Sequence, residues 1–123
     1  MTDVTATIDT YLEAYSETDD QRRAELISRV WTSDGHLIDP PLDAEGHEAI
    51  GNMAVAVHGQ FPGHRFRRAS GVDAHHGFAR YGWELVGPDG AVTLAGMDVA
   101  QLGDDGRIRR VLGFFGPLPE RDA

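Results

Sequence analysis

The stretch LAGMDVAQLGDDGRIRRVLGFFG, residues 94–116, predicts a β-hairpin around which the rest of the chain is organised. Two apolar segments flank Gly103-Asp104-Asp105-Gly106, and an Asp-Gly pair between alternating hydrophobic runs is a strong hairpin signal. Residues two apart share one face of a strand, so Asp98 lies in a row with Leu94, Gly96, Ala100 and Leu102. An ionised carboxylate in such a row is unfavourable, and proteins often raise its pKa so that it stays neutral.

The composition limits the class of protein. The 123 residues are expected to form one domain, residues 1–123, and they include 20 acidic and 11 basic residues, for a net charge of −9. A chain of this charge should repel nucleic acids and anionic membranes, because phosphate binding needs clustered positive charge. There is no cysteine, so disulfides are excluded. We expect a cytoplasmic protein, since no apolar run approaches the roughly 20 residues of a membrane span.

The first half of the chain has helical periodicity. Ile8, Tyr11, Leu12 and Tyr15 follow the spacing of one helical face, which predicts a helix over residues 5–15, and a second helix is expected from about Asp20 to Trp31. Between them and the later strands we expect the following elements: a turn at residues 33–35, a short strand over residues 36–39 that Pro40-Pro41 ends, a loop over residues 42–45, and a third helix from Gly46 or His47 to about His58.

The second half changes to a period of two, which predicts a strand meander. The four expected strands are Arg65–Ala74, Phe78–Val86, Val92–Leu102 and Arg107–Phe115. Helices followed by antiparallel strands are typical of an α+β layer, here a curved antiparallel sheet wrapped around the N-terminal helices. Such a sheet leaves one internal pocket, and Tyr81, Trp83 and Leu85 on one strand face offer an aromatic wall for it.

The order of elements resembles the nuclear-transport-factor-2-like superfamily, which includes the SnoaL-like polyketide cyclases and the steroid delta-isomerases. The residues that carry the resemblance are Tyr11 in YLEAYSETD, Asp39-Pro40 in HLIDPP, and Asp98 in GMDVAQLGDDGRIRRVLGFFG. The resemblance covers nearly the whole chain. It implies a cone-shaped, cystatin-like fold, a single SnoaL-like domain, no cofactor, and an isomerase or cyclase that acts on a cyclic, steroid-like or polyketide-like small molecule.

The chemistry of such enzymes assigns roles to the candidate residues. Double-bond migration or an aldol cyclisation begins with removal of a proton α to a carbonyl, which leaves negative charge on oxygen. Asp39, at a strand end beside a loop, is the expected ionised base, and Asp98 is the expected neutral donor to the oxyanion. Tyr11 is the expected phenol donor by resemblance, and Tyr15 competes for this role because it lies one turn further along the same helix face.

Other residues are expected to bind the substrate or to have structural roles. The substrate-binding candidates are Tyr15, Tyr81, Trp83, Leu85, Phe115 and His76. The alternative for Asp98 is an ion pair with an inward-facing arginine, Arg80 or Arg68. We expect no metal site, because the histidine spacing matches no common zinc arrangement.

Two further readings of the sequence stay open. The domain could be a non-catalytic small-molecule-binding or dimerisation module, and a homodimer is expected under either reading because an open sheet has a second face to cover. Epoxide hydrolysis by an Asp-Arg-Asp set is less favoured, since the last strand carries Leu112 and Gly113 where a second carboxylate would be needed.

Overall fold

The computed structural model describes residues 3–122, which fold into three helices packed on one side of an open sheet. The helices are α1 (Val4–Ser16), α2 (Asp20–Val30) and α3 (His47–Gln60). The strands are β1 (Trp31–Asp39), β2 (Leu42–Glu45), β3 (Arg65–Arg68), β4 (Asp73–His75), β5 (Phe78–Val86), β6 (Val92–Leu102) and β7 (Ile108–Phe115). None of the helices in this part of the chain is long and apolar enough to cross a membrane.

The sheet confirms the α+β expectation and corrects one detail of it. Its strand order is β2-β1-β7-β6-β5-β3, with β4 also paired to β5. The expected sheet was antiparallel throughout, but β1 and β7 run parallel, so the sheet is mixed. The parallel pair arises because α3 and the strands β3 to β6 separate β1 from β7 in the chain, and such a crossover can return a strand in the same direction.

The start of β1 differs from its prediction. Trp31 was expected to end α2, but it begins β1, and the expected turn at residues 33–35 lies within that strand as a bulge. The pairing shifts between Trp31 and His36, where β1 uses more residues than β7 opposite it. Gly35 allows this bulge because a Cβ there would lie 2.4 Å from the Trp31 ring.

Two other boundaries also differ. Residues 42–45, expected as a loop, form β2, which pairs with β1 through His36↔Glu45 to Asp39↔Leu42 and so covers backbone groups that β1 would otherwise leave unpaired. The strand expected over residues 65–74 is two strands, β3 and β4. The ladder is interrupted at Ser70, where a side-chain oxygen replaces a backbone carbonyl and accepts the N–H of Gly82 at 2.8 Å.

The core lies between the three helices and the inner face of the sheet. Helices α1 and α2 are capped at their N-termini by Asp3 and Asp19, whose side chains accept the N–H groups of Ala6 and Arg22. The inner face of β5 was predicted correctly, since Tyr81, Trp83 and Leu85 are all buried. Helix α1 packs against β3, and its residues Tyr11 and Tyr15 belong to the core beside the inner face of the sheet, where the candidate site lies.

Candidate functional site

A row of four residues crosses the centre of the sheet. The strand register pairs Tyr81 of β5 with Asp98 of β6, and Asp98 with Gly113 of β7. Asp39 follows in β1, because the preceding residue Ile38 pairs with Leu112 of β7. The row therefore brings Asp39 and Asp98 to the inner face on either side of one glycine.

Gly113 is what allows the two carboxyl groups to approach each other. A Cβ at this position would lie 2.7 Å from Oδ1 of Asp39 and 3.2 Å from Oδ1 of Asp98. Any side chain would occupy the space that the two carboxyl oxygens use, so the two groups are neighbours only because residue 113 has none. From the sequence, Gly113 was noted only because a second carboxylate is absent from the last strand, and its positive role became visible only from the strand register.

All three tyrosines of the chain surround this carboxyl pair. Tyr15 of α1 donates its hydroxyl to Oδ2 of Asp39 at 3.2 Å, and Tyr81 donates to Oδ2 of Asp98 at 2.9 Å. Tyr11 lies one turn before Tyr15, with ring centroids 6.0 Å apart, and is 2% exposed. Burial raises the pKa of each phenol, and the nearby carboxyl charges raise it further, so all three stay protonated and neutral.

Burial also alters the two carboxyl groups. Asp98 is 4% exposed, and burial raises its pKa to about 7; the charge of Asp39 acts in the same direction, whereas the Tyr81 hydrogen bond opposes it. The indole N–H of Trp83 lies close enough to lower this pKa, although it makes no hydrogen bond of normal geometry. Burial raises the pKa of Asp39 too, against the hydrogen bond from Tyr15. Asp98 is thus the carboxyl that retains a proton near neutral pH.

No positive charge compensates these carboxyl groups within residues 3–122. Arg80, the first alternative partner for Asp98, instead binds Asp73 at 2.8 Å on the outside of the sheet. Arg68 binds Asp9, also at 2.8 Å. The expected alternative of an arginine-paired Asp98 is therefore not found, and neither is the Asp-Arg-Asp set that water activation would need.

A cavity of about 150 Å³ opens beside Asp39 and Tyr15. Its walls are mostly apolar and aromatic, as in small-molecule sites. The remaining lining residues are Pro40, Pro41, Leu42, Val57, Gln60, Phe61, Phe66, Trp83, Leu85, Leu94 and Phe115. Among the lining residues, Pro40, Pro41, Gln60 and Phe115 are exposed and so form the mouth.

The structure divides the predicted site residues into three groups. Five of them line the cavity: Asp39, Tyr15, Trp83, Leu85 and Phe115. Asp98, Tyr81 and Tyr11 are buried beside it without lining it. His76 lies in the exposed turn between β4 and β5, with Nδ1 3.1 Å from Nδ1 of His75, and is not part of the cavity.

Phe66 is a lining residue that the sequence analysis missed. Its ring stacks on Tyr15 with centroids 4.5 Å apart and meets Trp83 edge-on. The signal was present in the alternation of RFRR, where one aromatic residue lies between outward-facing arginines. Within the described part of the chain, no three His, Asp or Glu side chains are grouped so that they could hold a metal ion.

The raised pKa of Asp98 predicts how stability depends on pH. The folded protein binds this proton more tightly than the unfolded chain, whose pKa is near the ordinary 3.8, so the resulting stabilisation is complete below about pH 4 and is lost as the pH rises through about 7. Relative to Asp98→Asn, the wild type should lose roughly 3 kcal/mol of unfolding free energy between about pH 5 and about pH 8. Urea unfolding of both proteins at the two pH values measures this; parallel pH dependences would contradict it.

The comparisons with known proteins agree with this fold. The family model described as a SnoaL-like domain matches residues 8–111. A "putative isomerase of the SnoaL-like family" from Agrobacterium tumefaciens has 38% sequence identity and a TM-score of 0.88, over 95% of this chain and 100% of its own. No protein of curated function matched the chain.

Two more distant structures share the fold alone. A "putative polyketide cyclase" from Sinorhizobium meliloti has a TM-score of 0.70 at 16% identity, over 92% of this chain and 100% of its own. A protein from Catenulispora acidiphila with a ketosteroid isomerase-like fold, in complex with trimethylamine, has a TM-score of 0.71 at 10% identity, over 88% of this chain and 83% of its own. Since the family model covers most of the chain, the protein belongs to the SnoaL-like domain family.

Proposed function

We propose that this domain is a cofactor-independent isomerase or cyclase that removes a proton α to the carbonyl of a compact cyclic molecule. The observation that carries this proposal is a carboxylate, Asp39, at the wall of an apolar cavity that no cation from residues 3–122 lines. A base that is neither solvated nor neutralised by an ion pair keeps its basicity, and the aromatic walls exclude water from the enolate.

Tyr15 supplies the donor for the developing oxyanion. Tyr15 lines the same cavity, and its hydroxyl stays protonated because burial and Asp39 raise its pKa. The bond to Asp39, at 3.2 Å, is longer than the ~2.7–2.8 Å typical of O–H···O bonds, so little is lost when the phenol turns to a substrate oxygen. Asp98 does not line the cavity, and in this proposal it acts on Asp39 and not on the substrate.

The cavity limits the substrate class. A volume of about 150 Å³ matches the size of a void that accepts a single benzene ring, and drug-sized ligands need pockets of ~300 Å³ or more. The ligand that fits is therefore one ring or a small fused system, with any larger part of the molecule outside the mouth at Pro40, Pro41 and Gln60. A neutral ketone or enone suits walls that carry a carboxylate and no positive charge.

Turnover of a one-ring enone tests the base. Conversion of 3-cyclohexenone to its conjugated isomer, followed by ultraviolet absorbance, should fall by about 10²–10⁴-fold in Asp39→Asn because the amide cannot accept the proton. Asp43→Asn is the control, since Asp43 is an exposed carboxylate of β2 that pairs with His36 outside the cavity. Equal rates in the wild type and Asp39→Asn would reject Asp39 as the base.

Phenolate binding tests the donor without a known substrate. A substituted phenolate imitates an enolate, so its affinity should fall about tenfold in Tyr15→Phe, which lacks the hydroxyl, and should rise in Asp39→Asn, which lacks the repelling charge. Tyr11→Phe is a matched control, because Tyr11 lies on the same helix but not in the cavity. If both phenylalanine variants weaken binding equally, Tyr15 is not the donor.

A second candidate function is the non-catalytic binding of a small organic cation. The observation that favours it is the same carboxylate among five aromatic rings: Tyr15, Phe61, Phe66, Trp83 and Phe115. Aromatic faces together with a negative charge are a common way to hold alkylammonium groups.

Calorimetry with tetramethylammonium chloride separates the two functions. A cation binder should take up this probe in preference to tert-butanol, a neutral molecule of similar shape, and should lose more than about tenfold in affinity in Asp39→Asn. Asp43→Asn is again the control. If phenolates bind and tetramethylammonium does not, the cation-binding function is rejected.

A further inference from the structure

One oxygen of Asp39 has no hydrogen-bond partner. Its Oδ1 is buried and unpartnered, whereas Oδ2 accepts the hydroxyl of Tyr15. A buried carboxylate oxygen without a hydrogen-bond partner is unfavourable, so such an atom calls for an explanation. The oxygen does not face the open cavity, because it lies against Gly113 on the side of Asp98.

The carboxyl group of Asp98, when protonated, is a candidate hydrogen-bond donor to Oδ1 of Asp39. A Cβ atom on Gly113 would lie 3.2 Å from Oδ1 of Asp98 and 2.7 Å from Oδ1 of Asp39. The other oxygen of Asp98 is occupied by the hydroxyl of Tyr81. The two Oδ1 atoms therefore flank the same space above Gly113, and no arginine within residues 3–122 is paired with either group.

We propose that Asp39 and Asp98 form a carboxyl–carboxylate pair across Gly113 that shares one proton, with Gly113 as the positioning residue that allows the two oxygens to meet. Burial supports this state, since two adjacent carboxylates in one apolar site cannot both be charged at low cost, and the charge of Asp39 raises the pKa of Asp98. The other titratable groups that face the pair are Tyr11 and Tyr15 from α1 and Tyr81 from β5, all neutral.

The shared proton gives the pair a defined role in the reaction, and this role rests on the proposed function. In the resting site the pair holds one proton and one negative charge. When Asp39 takes the α-proton, the electron pair of the broken C–H bond moves towards the carbonyl oxygen, and the pair now holds two protons and no charge beside the enolate. Return of one proton to a different carbon restores both the carbonyl and the one-proton pair. The site thus carries one negative charge throughout.

The first measurement concerns the shared proton itself. With the full chain labelled with ¹³C in its aspartate carboxyl groups, the carboxyls of Asp39 and Asp98 should titrate as two separate steps in the wild type. Between the steps, a proton resonance far downfield should be present that is absent from Asp39→Asn and Asp98→Asn. In Asp39→Asn the Asp98 midpoint should fall by about one pH unit or more, because the neighbouring charge has been removed.

Gly113→Ala tests the positioning role. Its methyl group would displace the Asp39 carboxyl, so the downfield resonance should vanish and the separation between the two midpoints should shrink by about one pH unit. Gly82→Ala is the matched control, since this glycine lies in the neighbouring strand β5 and its Cβ would make only an ordinary contact of 3.5 Å with Ser70. If Gly113→Ala does not fold, the two asparagine variants decide the question.

The proposed pair would be rejected if the two carboxyl groups titrated independently and the Asp98 midpoint were unchanged in Asp39→Asn. These measurements use the free protein, so their result is separate from that of the enone and phenolate experiments. Loss of turnover in Asp39→Asn with no shared proton would reject the pair and retain the base. A shared proton in a protein that binds no phenolate and turns over no enone would retain the pair and reject the proposed function.

Discussion

The candidate site depends on the burial of two carboxyl groups that have hydrogen-bond donors but no cation beside them within residues 3–122. Asp39 and Asp98 are held by the hydroxyl groups of Tyr15 and Tyr81, while the nearby arginines Arg68 and Arg80 form ion pairs elsewhere. An arginine would fix both groups as carboxylates of low pKa. Tyrosine hydroxyls compensate the charge only in part, so burial keeps the pKa of both groups raised.

The backbone arrangement makes this electrostatic state possible. Three strands place Asp39, Gly113 and Asp98 side by side, and α1 lies over them with two tyrosines one turn apart. Each component belongs to a regular helix or strand. Catalytic groups held in this way are positioned before the substrate arrives, which is the condition for effective electrostatic stabilisation of a transition state.

Much of the fold could be predicted from local patterns. Strands β5 and β6 were predicted with their observed boundaries, and the helices within a few residues, because period-two and helical spacing report directly on which side faces the core. The failures were at Trp31, at residues 42–45 and at Ser70. In each of these places the outcome depends on pairing with a distant strand or on a side-chain hydrogen bond, which no local window contains.

The sequence by itself determined that Asp98 would lie among apolar residues, that Asp39 would end a strand, and that the chain resembles the nuclear-transport-factor-2-like superfamily. The first two are local properties of the sequence, since they follow from the alternation of residues along β6 and from the proline that follows β1. Only the tertiary structure decided that Tyr15, not Tyr11, contacts Asp39, and that Asp98 lies beside the cavity without lining it. The position of Gly113 between the two carboxyl groups, where a side chain would block their approach, was likewise decided by the tertiary structure. These facts depend on the parallel pairing of β1 with β7 and on how α1 is rotated over the sheet, and both are set by packing between segments far apart in the chain.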